Sequence, residues 1–206
     1  MTAELVKSIA RAVASVVIFP RVLAFYLFAP ILGRDRAFES ATQAIARIPG
    51  VRGQYLRNAF LSRVIRHCDP TATICFGTLL SKTGAIIDDH VYVGPGCHLG
   101  LVHLERDVLL AAGVHVPSGA HIHGTDDPAV PIRDQPGRPV MVTIGAGSWI
   151  GSGAVVLADV GRNCVIGAAS VVTKPIPDDV VAVGSPARII SNRRPMAADV
   201  VGSANQ

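Results

Sequence analysis

Seven histidines carry most of the chemistry this sequence could do, and their positions sort them. His123 opens a stretch running HGTDDPAVPIRDQPGRPVMV over residues 123–142, whose Pro, Gly and Asp content marks a loop. A neutral imidazole at a loop entrance suits general-base work near pH 7, taking a proton from an attacking hydroxyl, which supplies roughly 10²–10⁴-fold in rate. His121 lies two residues earlier. Alternation on an extended segment puts it on the same face, so one ring could orient the other. The plainer reading of His123 is a polar residue where a loop leaves its scaffold. His98, His115 and His121 each close a six-residue unit and read equally well as a row of outward side chains. Asp126, Asp127 and Asp134 follow in the loop, either to orient an imidazole or to solvate it, with Arg133 and Gln135 as contacts for a polar substrate.

Other chemistries find less support. Cys68, Cys75, Cys97 and Cys164 show no CxxC spacing, so small buried thiols in a reducing compartment are expected rather than a zinc or redox site. No run of basic, apolar and A-x-A segments marks a cleavable leader at the N-terminus. The net charge is +4, unevenly spread. Residues 1–66 hold ten Lys and Arg against the acids Glu4, Asp35 and Glu39, while the remainder is slightly acidic. A basic head on a near-neutral body fits a membrane surface or an anionic partner. Nucleic acid is not expected, because the bases are interleaved with long aliphatic runs.

Two kinds of element must position these residues. Residues 1–66 read as helical. Residues 12–33 are strongly apolar and interrupted by Arg21, with Pro20 and Pro30 inside. Neither charge-free piece, 12–20 or 22–33, reaches the roughly 20 apolar residues that span a bilayer. The segment is therefore expected to be interfacial or re-entrant, with packed helices or a span carrying one Arg as alternatives. Residues 36–48 and 53–66 read as amphipathic helices. Phe38, Ala41, Ile45 and Ile48 share one face, and so do Leu56, Phe60 and Val64. Arg57, Arg63 and Arg66 are then left for solvent or lipid headgroups. The head, residues 1–66, is expected to associate with a membrane surface.

From residue 74 the period becomes six. Ile87, Val93 and Leu99 step by six; so do Leu104, Leu110, Val116 and Ile122, then Ile144, Ile150 and Val156, and finally Val160, Ile166 and Val172. Small residues follow four positions after many of them, as in Val93–Cys97 and Ile144–Ser148. An amphipathic helix would space its apolar residues by three and four, a half-buried strand by two. A sustained six fits a parallel β-helix, in which three short strands close a triangular coil and coils stack about 4.8 Å apart. The register slips by one between Leu99 and Leu104 and by two between Val156 and Val160, where a corner would tighten. The fold class is thus mainly β, a left-handed parallel β-helix over 67–190 with an N-terminal α-helical segment, a projecting loop at 123–142, and a C-terminal tail at 191–206. A loop of that length inside a compact repeat is usually functional or disordered, and this charged, kinked composition favours function.

Residues 144–190, IGAGSWIGSGAVVLADVGRNCVIGAASVVTKPIPDDVVAVGSPARII, resemble the hexapeptide-repeat acyltransferases, and among them the galactoside, maltose and polysaccharide O-acetyltransferases. The specific part is WIGSGA followed by IGAASVVTK and GSPAR; the resemblance covers roughly residues 70–190 and not the head. It implies a homotrimer of prisms with acetyl-CoA in the cleft between neighbours, no metal, and transfer of an acetyl group to a hydroxyl of a saccharide acceptor. Carried over by position, His123 is the base and Trp149 walls the acceptor site, joined by His121 and Gln135. Ser152, Ala168, Thr173 and Lys174 line the CoA channel. Those enzymes place a basic residue after the P-x-R-x-I turn; Ser191 stands there here, so Arg188, Arg193 or Arg194 would meet the CoA phosphates. Two alternatives belong to other classes. One is a zinc enzyme like the γ-type carbonic anhydrases, suggested by HLGLVH (His98 and His103), although Ser62 stands where a third ligand is expected. The other is a non-catalytic trimeric sugar-binding scaffold. The expected location is the cytoplasm, peripheral on the inner face of a membrane.

Overall fold

The computed structural model describes residues 3–193, so Arg194 and the rest of the expected tail lie outside them. From His67 the chain winds through about six coils of a parallel β-helix. One face stacks β1 (His67–Cys68), β4 (Ile86–Ile87), β7 (Val102–Leu104) and β10 (Val142–Ile144). A second stacks β2 (Thr73–Ile74), β5 (Tyr92–Val93), β8 (Leu109–Leu110), β11 (Trp149–Ile150), β13 (Val165–Ile166) and β15 (Val180–Val183). The third stacks β3 (Leu79–Leu80), β6 (His98–Leu99), β9 (His115–Val116), β12 (Val155–Val156) and β14 (Val171–Val172).

The six-step aliphatic residues point inward, as the period requires: Ile87, Val93, Leu99, Leu110, Ile150 and Ile166 are all buried. So are the small residues two positions before them, such as Cys97 and Ser148, because alternation along an extended segment turns both toward the axis. Hydroxyls are useful there because corners leave backbone groups unpaired. Ser148 accepts from the Cys164 N–H at 2.9 Å and donates to the Gly161 carbonyl at 2.7 Å, tying two coils together. Gly151 is small for a different reason: a Cβ there would sit 2.5 Å from the Ala168 nitrogen of the next coil. Both register slips fall at the corner between the third and first faces, and a third joins them at Val172–Ile176; Val160 and Ile176 continue the first face as single bridges.

The winding starts at β1, one strand before the period of six becomes readable. The structure differs from the sequence reading at three points. The chain leaves the prism directly after Val116, so the projecting arm runs from 117 to 141; Ile122, which the six-step places inside, is exposed. Pro117 has no N–H with which to continue the ladder, and Gly119 takes φ +83°, which turns the chain outward. The apolar N-terminal run is one unbroken helix, α1 (Ala3–Leu32), with Pro20 and Pro30 inside it. Pro20 is exposed, so the carbonyl it leaves unpaired, four residues back, faces outward. Finally, Arg57 is not free for solvent or lipid; it is fully buried.

The last two points describe how the head is built. α2 (Arg34–Ala46) and α3 (Gly50–Val64) cover the open end of the first coil, where unpaired strand edges would otherwise stand exposed. Arg57 donates from Nε to the Ile74 carbonyl at 2.9 Å and from one terminal nitrogen to the Ile48 carbonyl at 2.8 Å and the Ile45 carbonyl at 3.3 Å. It thereby joins the C-terminal end of α2 to the first coil, a location that favours a cation. Phe25, Phe38 and Phe60, one from each helix, form the head's own core, with the Phe38 and Phe60 rings stacked at 6.3 Å. At the far end of the column β16 (Arg188–Asn192) folds back antiparallel on β15.

Candidate active site

β6 and β9 lie side by side in register on the third face, with His98 opposite His115 and both rings pointing outward. The two imidazoles meet edge to face with centroids 5.6 Å apart. Burial, and then the neighbouring His98, push His115 below its ordinary value, which favours the neutral ring. The arm then brings a third imidazole: His123 lines the same cleft, about 700 Å³ in volume, as His98 and His115. The cleft floor is the third face, and its far wall is the start of α2, with Asp35, Arg36 and Glu39.

That wall is fixed by a small network. Asp35 accepts from the Thr83 backbone N–H at 3.0 Å, the Thr83 hydroxyl at 2.9 Å and Lys82 at 3.0 Å. Burial alone would raise its carboxyl, but these donors prevail and hold it below the usual carboxylate value. Thr42 adds a bond to the Leu80 carbonyl at 2.9 Å, which keeps α2 against the third face. The cleft therefore presents three imidazoles, two cationic side chains and two carboxylates on a rigid floor. That set can move a proton near neutral pH and bind a polar, hydroxyl-bearing ligand.

The other sequence-predicted residues do not gather there within one chain. Trp149 points outward from the second face, in register with Leu109 and Val165, and is half exposed. Ser152 and Ala168 are exposed at the corner between the second and third faces, adjacent in neighbouring coils, with the Ala169 N–H bonded to the Ser152 carbonyl at 2.8 Å. Thr173 and Lys174 are exposed at the corner where the third face turns to the first. Arg188 is exposed in β16, and Arg193 donates to the Asn163 carbonyl at 3.1 Å. His121 is exposed in the arm and outside the cleft. Gln135 is held inside the arm: its amide donates to the carbonyls of Asp127 and Val130 at 2.7 and 2.8 Å and accepts from the Asp127 N–H at 3.1 Å. It orders the loop that carries His123. His98 and His103 stand on different faces, and His103 is bonded to Asp88 at 3.0 Å, so the pair does not form a common ligand set.

Sequence reasoning placed His98 and His115 in an outward row, His98 also beside His103 as a candidate zinc pair, and passed over Asp35, Arg36 and Glu39. A signal existed for the histidines, since each directly precedes an inward aliphatic residue in consecutive coils. None existed for the α2 residues, whose place depends on how the head sits on the first coil.

The family profile described as a hexapeptide repeat of succinyl-transferase matches residues 141–174. That segment is the chain from the end of the arm through the Trp149 and Ser152 coil to Lys174. Over that segment the chain is similar to hexapeptide-repeat proteins, and over longer stretches to O-acetyltransferases. The galactoside O-acetyltransferase of Escherichia coli strain K12 is 28% identical over 190 residues, covering 78% of this chain and 88% of that protein. A "Probable acetyltransferase" of Mycobacterium tuberculosis is 43% identical over 74 residues, which span 35% of this chain and 25% of its own length. Among solved structures, a maltose O-acetyltransferase from Clostridium difficile 630 superposes with a TM-score of 0.62 at 23% identity, covering 80% of this chain and 89% of that one, a likeness of fold. The chain thus spans nearly the whole length of one relative and only a quarter of another.

Proposed function

We propose that the protein transfers an acetyl group from acetyl-CoA to a hydroxyl of a saccharide acceptor, with His123 as the base. The observation that carries this reading is the convergence of His123 with the His98–His115 pair in one cleft of a hexapeptide-repeat prism. In the step proposed, the acceptor oxygen attacks the thioester carbonyl, His123 takes the hydroxyl proton, the new C–O bond forms and the C–S bond breaks. The proton passes to the departing thiolate. Holding both substrates in one groove supplies much of the rate, and backbone N–H groups at the corners can meet the developing oxyanion.

The site is completed by a homotrimer in this reading. Trp149, Ser152 and Ala168 stand away from the three-histidine cleft of their own chain, so a neighbouring copy is what brings a CoA channel to His123. Supporting this, Tyr92, Leu109 and Trp149 form an exposed apolar row on the second face. A cytoplasmic location agrees with four free cysteines, all buried. The similarity to galactoside O-acetyltransferase supports the acceptor class.

The test is release of CoA thiol from acetyl-CoA in the presence of galactosides and maltose. His123→Ala is expected to lower kcat by about 10²–10⁴-fold with little change in KM for acetyl-CoA. Unchanged kcat in that variant would move the base to His115 or His98. No acyl transfer by the wild-type protein to any saccharide would end the proposal.

A further inference from the structure

α1 is about 45 Å long at 1.5 Å per residue, and it lies along the protein rather than projecting from it. Ala14, Ile18, Val22 and Phe25 are buried against α2 and α3. Toward the N-terminus Glu4, Lys7 and Arg11 face the groove lined by Tyr55, Asn58 and Pro70. At 100° per residue the charged side chains Glu4, Lys7, Arg11 and Arg21 all fall within 60° of the line through Ile18 that faces the protein. The opposite half carries no charge over the described residues. Leu5, Ile9, Val16, Leu23, Leu27 and Ile31 run along it from one end to the other, each about half exposed or more. Arg21, which interrupts the apolar run in sequence, therefore does not interrupt this ridge in space.

α1 is long and apolar enough to cross a bilayer. Its attachment to α2 and α3 forbids it, because the β-helix coils packed beneath those helices would have to enter the membrane as well. What remains is a contiguous apolar ridge along the length of the helix, the kind of exposed face that marks a contact with a partner or a membrane. Cations rim it. Arg21 is exposed on its flank, and Arg34 lies beside Phe25, Tyr26 and Pro30. An apolar helix face with a basic rim is complementary to an anionic lipid surface, which offers hydrocarbon beneath a layer of negative headgroups. A second copy would set these cations against their equals.

We propose that α1 seats the protein on an anionic bilayer surface and that the acceptor is a saccharide anchored in that bilayer. α1 ends at Leu32, and Asp35, Arg36 and Glu39 of the cleft wall follow directly at the start of α2. The cleft is thus built onto the end of the ridge, and a headgroup sugar at the membrane surface lies within its reach. The second half of this inference rests on the acyl-transfer reading above; the docking half does not.

The full-length protein is floated with vesicles of phosphatidylcholine alone and of phosphatidylcholine with about 30% phosphatidylglycerol. It is expected to float with the anionic vesicles, and less so at 0.5 M salt than at about 0.1 M. Leu23→Asp with Leu27→Asp replaces exposed side chains, so the fold should survive, as a thermal melt checks, while the bound fraction falls at least about tenfold. Arg21→Gln with Arg34→Gln should reduce binding to anionic vesicles only. Protein that stays at the bottom of the gradient overturns the docking, and so does sedimentation showing that Leu23→Asp with Leu27→Asp changes oligomeric state instead. Acetyl transfer is then compared between a water-soluble saccharide and a glycolipid of like headgroup in the vesicles. Preference for the soluble acceptor overturns the anchored substrate. Flotation without transfer to either acceptor leaves the docking standing and counts against the acyl-transfer reading.

Discussion

His115 is the residue whose surroundings give the most direct solution signature. Burial first, and His98 second, lower its proton affinity from the ordinary value of 6.5. Between the folded value and 6.5 the unfolded chain binds more protons than the folded one, so stability should fall as pH drops through that window and level off below it. His98→Asn should move His115 only part of the way back, because burial is the larger cause. Ring-proton NMR titration of the two proteins reads this directly; an unchanged His115 titration would mean that the two rings do not interact. The same scale shows why chemistry was only partly legible in the sequence. His123 stood out because a Pro- and Asp-rich segment follows it. His98 and His115 read as solvent-facing side chains, and only register places them on adjacent strands beside the arm. Arg57 differs for the opposite reason: its place on an amphipathic pattern suggests solvent, whereas three backbone carbonyls, from β2, from α2 and from the turn after α2, draw it inside.

At the scale of elements, the six-residue period was readable because each inward residue is replaced by an equivalent one in the next coil. The period failed only at Ile122, where geometry and pattern part. The hydrophobic step continues, but the backbone has left the ladder after Val116. The corners show a related economy. Ala169 occupies a left-handed corner at φ 54°, a conformation that disfavours a side chain by roughly 1–2 kcal/mol. Ala169 is exposed, so its methyl group contributes little packing. Ala169→Gly should raise stability by about 0.5–1 kcal/mol once the added freedom of glycine in the unfolded chain is counted. A urea melt checks this, and a loss of stability would show that the corner is not strained. The N-terminal helix was the least legible element. Two prolines and an arginine argued for breaks, and only the wheel position of each, set by what α1 packs against, shows that the helix tolerates them.

For the whole molecule, the fold distributes its parts so that no single chain gathers all of the expected acyl-transfer residues. The three-histidine cleft belongs to the third face and the head, the Trp149 row to the second face. Trp149→Asp places a charge in the centre of that row. For the homotrimer proposed above, it is expected to shift trimer to monomer in analytical ultracentrifugation, with the proposed acetyl transfer lost in step. Full activity in a monomeric variant would show that one chain suffices.

A column of parallel coils has two open rims, each able to template another copy end to end. Here one rim is roofed by α2 and α3, and the other is turned back by β16. Parallel end-to-end stacking is thereby refused by the helices at one pole, and at the other it would meet a strand that runs against the ladder. Over the described residues this favours the lateral surfaces, arm and cleft included, as the ground on which an assembly can form.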